Sequence, residues 1–138
     1  MFKIAPKSET FTSGVAFHEY DQAGRRVRHV IDMAFKRLTQ TQYQAAIDAH
    51  PFPKDDDGQS IKLSPEESLD IQARQVAELI TDWKIEGADG NPFPFSHDNI
   101  RYMLNSYPGL MMAIVPPAGA GLTGEGRKNG SRLRHFGP

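Results

Sequence analysis

The hydrophobic positions of this chain repeat every second residue near its start and every third or fourth residue after that. From Phe11 to Tyr20 apolar and polar residues alternate, with Phe11, Val15 and Phe17 on one side; from Val27 to Phe35 they alternate again through Val27, Ile31, Met33 and Phe35. A period of two puts every second side chain on one face of a strand, so both segments read as half-buried strands. Between them, Asp21-Gln22-Ala23-Gly24 offers a carboxylate that can accept from its own backbone and a glycine free to take a positive φ. The spacing predicts a β-hairpin.

After Leu38 the period becomes helical. Tyr43, Ala46, Ile47 and His50 recur at helical spacing until Pro51 stops the turn, and Thr39 or Thr41 can cap the segment. The stretch from Phe52 to Ser60 holds three consecutive carboxylates and turn-forming residues, which predicts a solvent loop. Ser64-Pro65-Glu66-Glu67 then sets a cap, a first-turn proline and a capping-box Glu in order, predicting a helix from Ser64 to Trp83. Its apolar stripe is Leu69, Ala73, Val76, Ile80 and Trp83.

Gly87 to Phe95 reads as a loop, and Ser96 opens a helix that buries Ile100, Met103, Leu104 and Tyr107. A short apolar helix from Gly109 to Val115 is expected to end at Pro116-Pro117. The predicted fold class is α+β: an N-terminal antiparallel β-hairpin followed by three to four α-helices and a flexible tail. Residues 1–115 form one domain, with the hairpin at 11–38 and the helical part at 39–115, and residues 116–138 form a Gly/Pro-rich basic tail.

Composition narrows the function more than the fold. With 16 basic and 17 acidic residues the net charge is -1, so there is no overall field to hold a phosphate backbone or an anionic membrane. Neither nucleic acid nor a membrane is expected as a partner. The absence of cysteine removes disulfides, thiolate nucleophiles and sulfur-ligated zinc, and fits a reducing compartment. The first residues, Met1-Phe2-Lys3-Ile4-Ala5-Pro6-Lys7, lack a signal-peptide apolar region, and no window reaches the roughly 20 apolar residues of a membrane span. A cytoplasmic protein is expected.

The candidate chemistry is thin. Asp55-Asp56-Asp57 precedes Gly58, but calcium loops alternate their oxygen ligands and end on a bidentate Glu, so this reads as a solvated charge run. His18, His29, His50, His97 and His135 show no ligand spacing, although a hairpin brings His18 roughly opposite His29. No nucleophile elbow, phosphate loop or dinucleotide fingerprint occurs. No catalytic residue, cofactor or metal is assigned, and the chain reads as a non-enzyme. Arg25, Arg26 and Arg28, with Arg127, Lys128, Arg132 and Arg134, make two local basic clusters, but without the stacking aromatics of single-strand binders.

What remains is apolar surface. Trp83, Phe93, Phe95, Met103, Tyr107, Leu110, Met111, Met112 and Ile114 gather in the second half and form the candidate protein-binding set, alongside their alternative role as core. Adjacent Met111 and Met112 cannot both point inwards on a helix, and unbranched Met adapts to varied apolar partners.

Three stretches resemble the phage tail assembly chaperone family. They are Met33-Ala34-Phe35-Lys36-Arg37-Leu38-Thr39; the run from Trp83 to Ser96 with Asn99-Ile100, Leu104 and Tyr107-Pro108-Gly109; and Leu122-Thr123-Gly124 with Gly126-Arg127-Lys128-Asn129. The resemblance implies a host-cytoplasmic factor of a phage or prophage that binds the tape measure protein, self-associates, gives way to the major tail protein and is absent from the virion. Members of that family often arise in two lengths through a programmed ribosomal frameshift. Pro116-Pro117 and residues 130–138 depart from the family pattern. A tail connector built into the virion and a small nucleic-acid-binding regulator are the competing readings.

Overall fold

A computed structural model of the chain describes residues 1–123. Two long strands, β1 (Thr10–Tyr20) and β2 (Arg26–Lys36), form the expected hairpin, and a short β3 (Ile80–Trp83) adds to β2 to give the sheet order β1-β2-β3, antiparallel throughout. The helices are α1 (Gln40–Asp48), α2 (Pro65–Leu79), α3 (His97–Ser106) and α4 (Leu110–Thr123). The α+β class and the hairpin-then-helices order hold.

The hairpin closes as its residues dictate. Asp21 Oδ1 accepts from the N–H groups of Ala23 and Arg25, each at 2.9 Å, and Gly24 takes φ 78°. This three-residue loop, a turn followed by a left-handed glycine, recurs twice. Asp55 accepts from the N–H groups of Asp57 and Gln59 while Gly58 takes φ 79°. In the third copy Gly90 takes φ 81°, and the carboxylate has moved to Asp89, where the backbone and side-chain bonds from Asn91 hold its carboxyl below the ordinary value. Gly87 stands where the other two loops have Asp, and a Cβ there would lie 3.0 Å from Asp89 Oδ1. A side chain at position 87 would therefore require the relocated carboxylate to give way by a few tenths of an ångström.

Register follows the alternation. Val15 faces Ile31, and Phe17 faces His29, so the odd-numbered residues of both strands point at the helices. Val15, Phe17, Ile31, Met33 and Phe35 are buried there, while Thr12, His18, Arg28 and Val30 lie on the exposed face. His18 therefore sits opposite Arg28 on the solvent side, and His29 is on the inner side with its Nε2 2.6 Å from Glu19 Oε1. The expected His18–His29 approach is corrected: a one-residue offset puts the two rings on opposite faces.

Thr39 and Ser64 each complete a full capping box, with Gln42 and Glu67 bonding back, so α1 and α2 begin where local chemistry requires. The long helix, however, stops at Leu79 rather than continuing to Trp83. Ile80 to Trp83 leaves α2 as β3, and a bulge between Ala34 and Phe35 lets both Ile80 and Trp83 turn inwards. The loop after β3 folds back as a minor hairpin, with Phe93 N–H donating to Ile85 C=O at 2.8 Å.

One core joins these parts. It contains Phe35, Met33, Ile80, Ile100, Leu110, Ile114, Val15 and Val76 as its fully buried side chains. Helix α2 packs mainly on α3, while α4 packs mainly on β1.

The expectation that the last helix ends at Val115 is corrected as well. Helix α4 runs through Pro116-Pro117 to Thr123. Each interior proline removes a helix hydrogen bond, and the helix is held instead by packing, with Leu110 and Ile114 buried before the prolines and Ala118 beyond them. Beside it, Gly119 approaches the Tyr43 hydroxyl, which a Cβ at that position would meet at an ordinary contact distance of 3.5 Å. The tail residues 124–138, including Arg127, Lys128, Arg132, Arg134, Phe136 and His135, lie outside the described residues.

Candidate protein-docking surface

The nine apolar residues singled out by the sequence separate into two layers. Trp83, Met103, Leu110 and Ile114 are buried in the core, and Phe93, Phe95, Tyr107 and Met111 pack partly buried against it. Trp83 organises its neighbours: its Nε1–H donates to Phe93 C=O at 2.7 Å, its ring stacks on Phe93 and meets Phe95 edge-on at 5.0 Å. Tyr107 meets Phe17 edge-on at 5.4 Å, joining the end of α3 to the hairpin. Eight of the nine thus shape the fold, and Met112 projects, 76% exposed.

Helix α4 explains why Met112 is informative. Its residues LMMAIVPPAGAGLT include no charged side chain, whereas a helix resting on a domain surface ordinarily turns a polar face to water. Leu110, Ile114 and Ala118, spaced by four, face inwards. Met112, Val115 and Pro116 face outwards, with Val115 40% exposed. The prolines add a polar feature to this apolar stripe, because neither ring nitrogen has a hydrogen to give to the carbonyls of Met112 and Ala113 four residues earlier.

Val115, the last residue of the helix expected from the sequence, was not on the sequence-derived list; the signal that could have found it is the charge-free run itself. Tyr102, 59% exposed and 5.8 Å from Phe93, is a second omission, lying off the buried stripe of α3.

Polar groups concentrate elsewhere, where α2 meets α3. Asp70 accepts from His97 Nε2 at 2.7 Å and pairs with Arg74 at 3.0 Å; the His97 bond first, then the nearby Arg charges, hold the Asp70 carboxyl below its ordinary value. Pro53, Leu63, Glu66, Glu67, Ile71 and Arg101 complete a shallow depression beside it, in which Arg101 Nε is buried without a hydrogen-bond partner. Among the described residues no cluster of three or more His, Asp or Glu side chains is arranged to hold a metal. No described helix is long and apolar enough to cross a membrane.

A family model described as YdaY prophage protein matches residues 38–121. The chain belongs to this prophage family. The YdaY span begins as β2 gives way to α1 and ends inside α4, so it contains the exposed α4 stripe and leaves most of the hairpin outside. No curated protein and no solved structure matches the chain.

Proposed function

We propose that this prophage protein is a tail assembly chaperone that binds the tape measure protein and keeps it soluble until the tail is built. The observation that carries this reading is the uncharged α4, half of it anchored in the core and half of it presenting Met112, Val115 and Pro116 to solvent. A long, helix-rich chain with apolar stripes is matched by such a surface, because Met adapts to irregular apolar partners and a helical stripe docks another helix. The resemblance of the Trp83 to Gly109 stretch to the chaperone family supports the same reading, and the prophage membership is consistent with it.

The mechanism is occupancy rather than catalysis. Many copies, each making a weak apolar contact along one tape measure chain, lower the concentration of its uncovered surface by mass action. Major tail subunits then compete the copies away, leaving the chaperone in the host cytoplasm and out of the virion.

Co-expression with the tape measure protein of the same prophage tests this. The expected result is a soluble tape measure protein that co-purifies with the chain, and particles that lack the chain by mass spectrometry. A tape measure protein equally soluble alone and never co-purified would overturn the proposal, and a fixed copy number in particles would indicate a connector instead.

A further inference from the structure

The outer edge of β1 is a second unfinished feature. Arg37 N–H donates to Glu9 C=O and Asp21 N–H to Arg25 C=O, which sets the phase of the β1–β2 ladder. Hydrogen-bonded pairs alternate along antiparallel strands, so the odd-numbered residues of β1 bond to β2. The backbone groups of Thr10, Thr12, Gly14, Ala16, His18 and Tyr20 point away from it. No described strand pairs with that side, and the Ser8 hydroxyl donates to the Thr10 carbonyl at 2.7 Å.

Proteins ordinarily blunt such an edge with charged residues, lysine above all, with proline, a bulge or shortness, or by covering it with a helix or loop. β1 has 11 residues, TFTSGVAFHEY, with Glu19 as its one charged residue and no Lys, Arg or Pro; its register with β2 is unbroken, and Thr12 and His18 on its outer face are open to solvent.

We propose that β1 pairs antiparallel with β1 of a second copy about a two-fold axis at Val15, joining the two 3-stranded sheets into one. In this register the whole of Thr10–Tyr20 is paired, with Gly14 opposite Ala16 of the second copy, Thr12 opposite His18 and Thr10 opposite Tyr20. The small residues meet at the centre, where the exposed faces must come closest. At both ends of the seam Glu19 stands opposite Phe11, whose ring carries the Arg37 guanidinium at 5.3 Å, so opposite charges meet twice. Desolvation, then the charges of Arg26 and Arg28, hold His18 below its ordinary value, which disfavours a cation opposite Thr12. The pairing rests on the strand edge and does not depend on the chaperone reading.

Sedimentation equilibrium across a concentration series tests it without any tape measure protein. The full chain is expected to approach twice its 15.4 kDa mass. Thr12→Lys with His18→Lys sets two lysines against each other at both Thr12–His18 pairs and is expected to give monomer, whereas Thr12→Lys with His18→Glu keeps the dimer. Ala16→Pro removes one outward N–H while sparing the ladder to β2, and is expected to give monomer too. A chain that is monomeric throughout would overturn the proposal. So would a dimer that persists in the double-lysine variant, the outcome if copies met through α4 or the N-terminal arm.

Discussion

The two borders of this small sheet are built differently. On one side β3 is four residues long, carries a bulge against β2, and ends in Trp83, whose indole N–H is bonded and whose ring is covered by Phe93 and Phe95. On the other side β1 runs 11 residues with a free edge, and α4, packed mainly on it, shows water an uncharged helical face. Both β1 and β3 are edge strands, but β3 is short and bulged with its Trp83 end covered, whereas β1 is long and regular. The two proposals, docking on α4 and pairing through β1, both fall on the second border.

Substitutions should separate the borders. Trp83→Ala opens a core cavity and strands the Phe93 carbonyl; a loss of about 3–5 kcal/mol is expected, read by urea unfolding, with no separate effect on assembly. At the open border, Pro116→Ala with Pro117→Ala restores two helix donors, and a gain of at least about 3 kcal/mol is expected. If α4 is less stable without its prolines, the account of the helix as held by packing against its own sequence is wrong.

Gly24→Ala, at the tip of the hairpin, forces a Cβ into a left-handed conformation for an expected loss of about 1–2 kcal/mol. The space around it is empty, so the cost there is purely conformational. The same change at Gly90 is expected to cost as much, and thermal melts of the two variants would show whether the turns are equivalent.

The smallest effects are those of pH, and they fall in different windows at the two borders. His18 at the open edge has its pKa lowered from 6.5, so the unfolded chain takes this proton more readily than the folded one. Stability from this group is therefore full at higher pH and declines as pH falls below 6.5, and His18→Gln should flatten that part of a melting profile. Asp70, between α2 and α3, is lowered from 3.8; its contribution persists above that value and is lost as pH falls through the depressed folded pKa. Asp70→Asn should therefore lower stability above that window and flatten the melting profile within it.

Local chemistry was readable in the sequence, and tertiary compromise was not. Asp21 with Gly24, Thr39 with Gln42, and Ser64 with Pro65 and Glu67 satisfy their own backbones within a few residues, so the hairpin and two helix starts followed directly. Strand β3 was hidden because Val76, Ile80 and Trp83 keep helical spacing. On a regular strand Ile80 and Trp83 would face opposite sides, and the bulge that brings both inwards depends on pairing with β2. The prolines misled for a related reason, since their local veto on helix is outweighed by contacts of Leu110, Ile114 and Ala118 that sequence spacing alone does not weigh. For the candidate surface, the sequence list holds one exposed residue, Met112 on α4, and eight that are buried in the core or packed against it.

The most direct test of the docking surface is retention of the tape measure protein by the chain carrying Met112→Glu and Val115→Glu. Both side chains are exposed, so folding stability should stay within about 0.5 kcal/mol of the parent, checked by thermal melt. The expected result is a normally folded chain that no longer co-purifies with the tape measure protein or keeps it soluble. Undiminished retention by that folded variant would contradict the assignment of α4 as the docking surface.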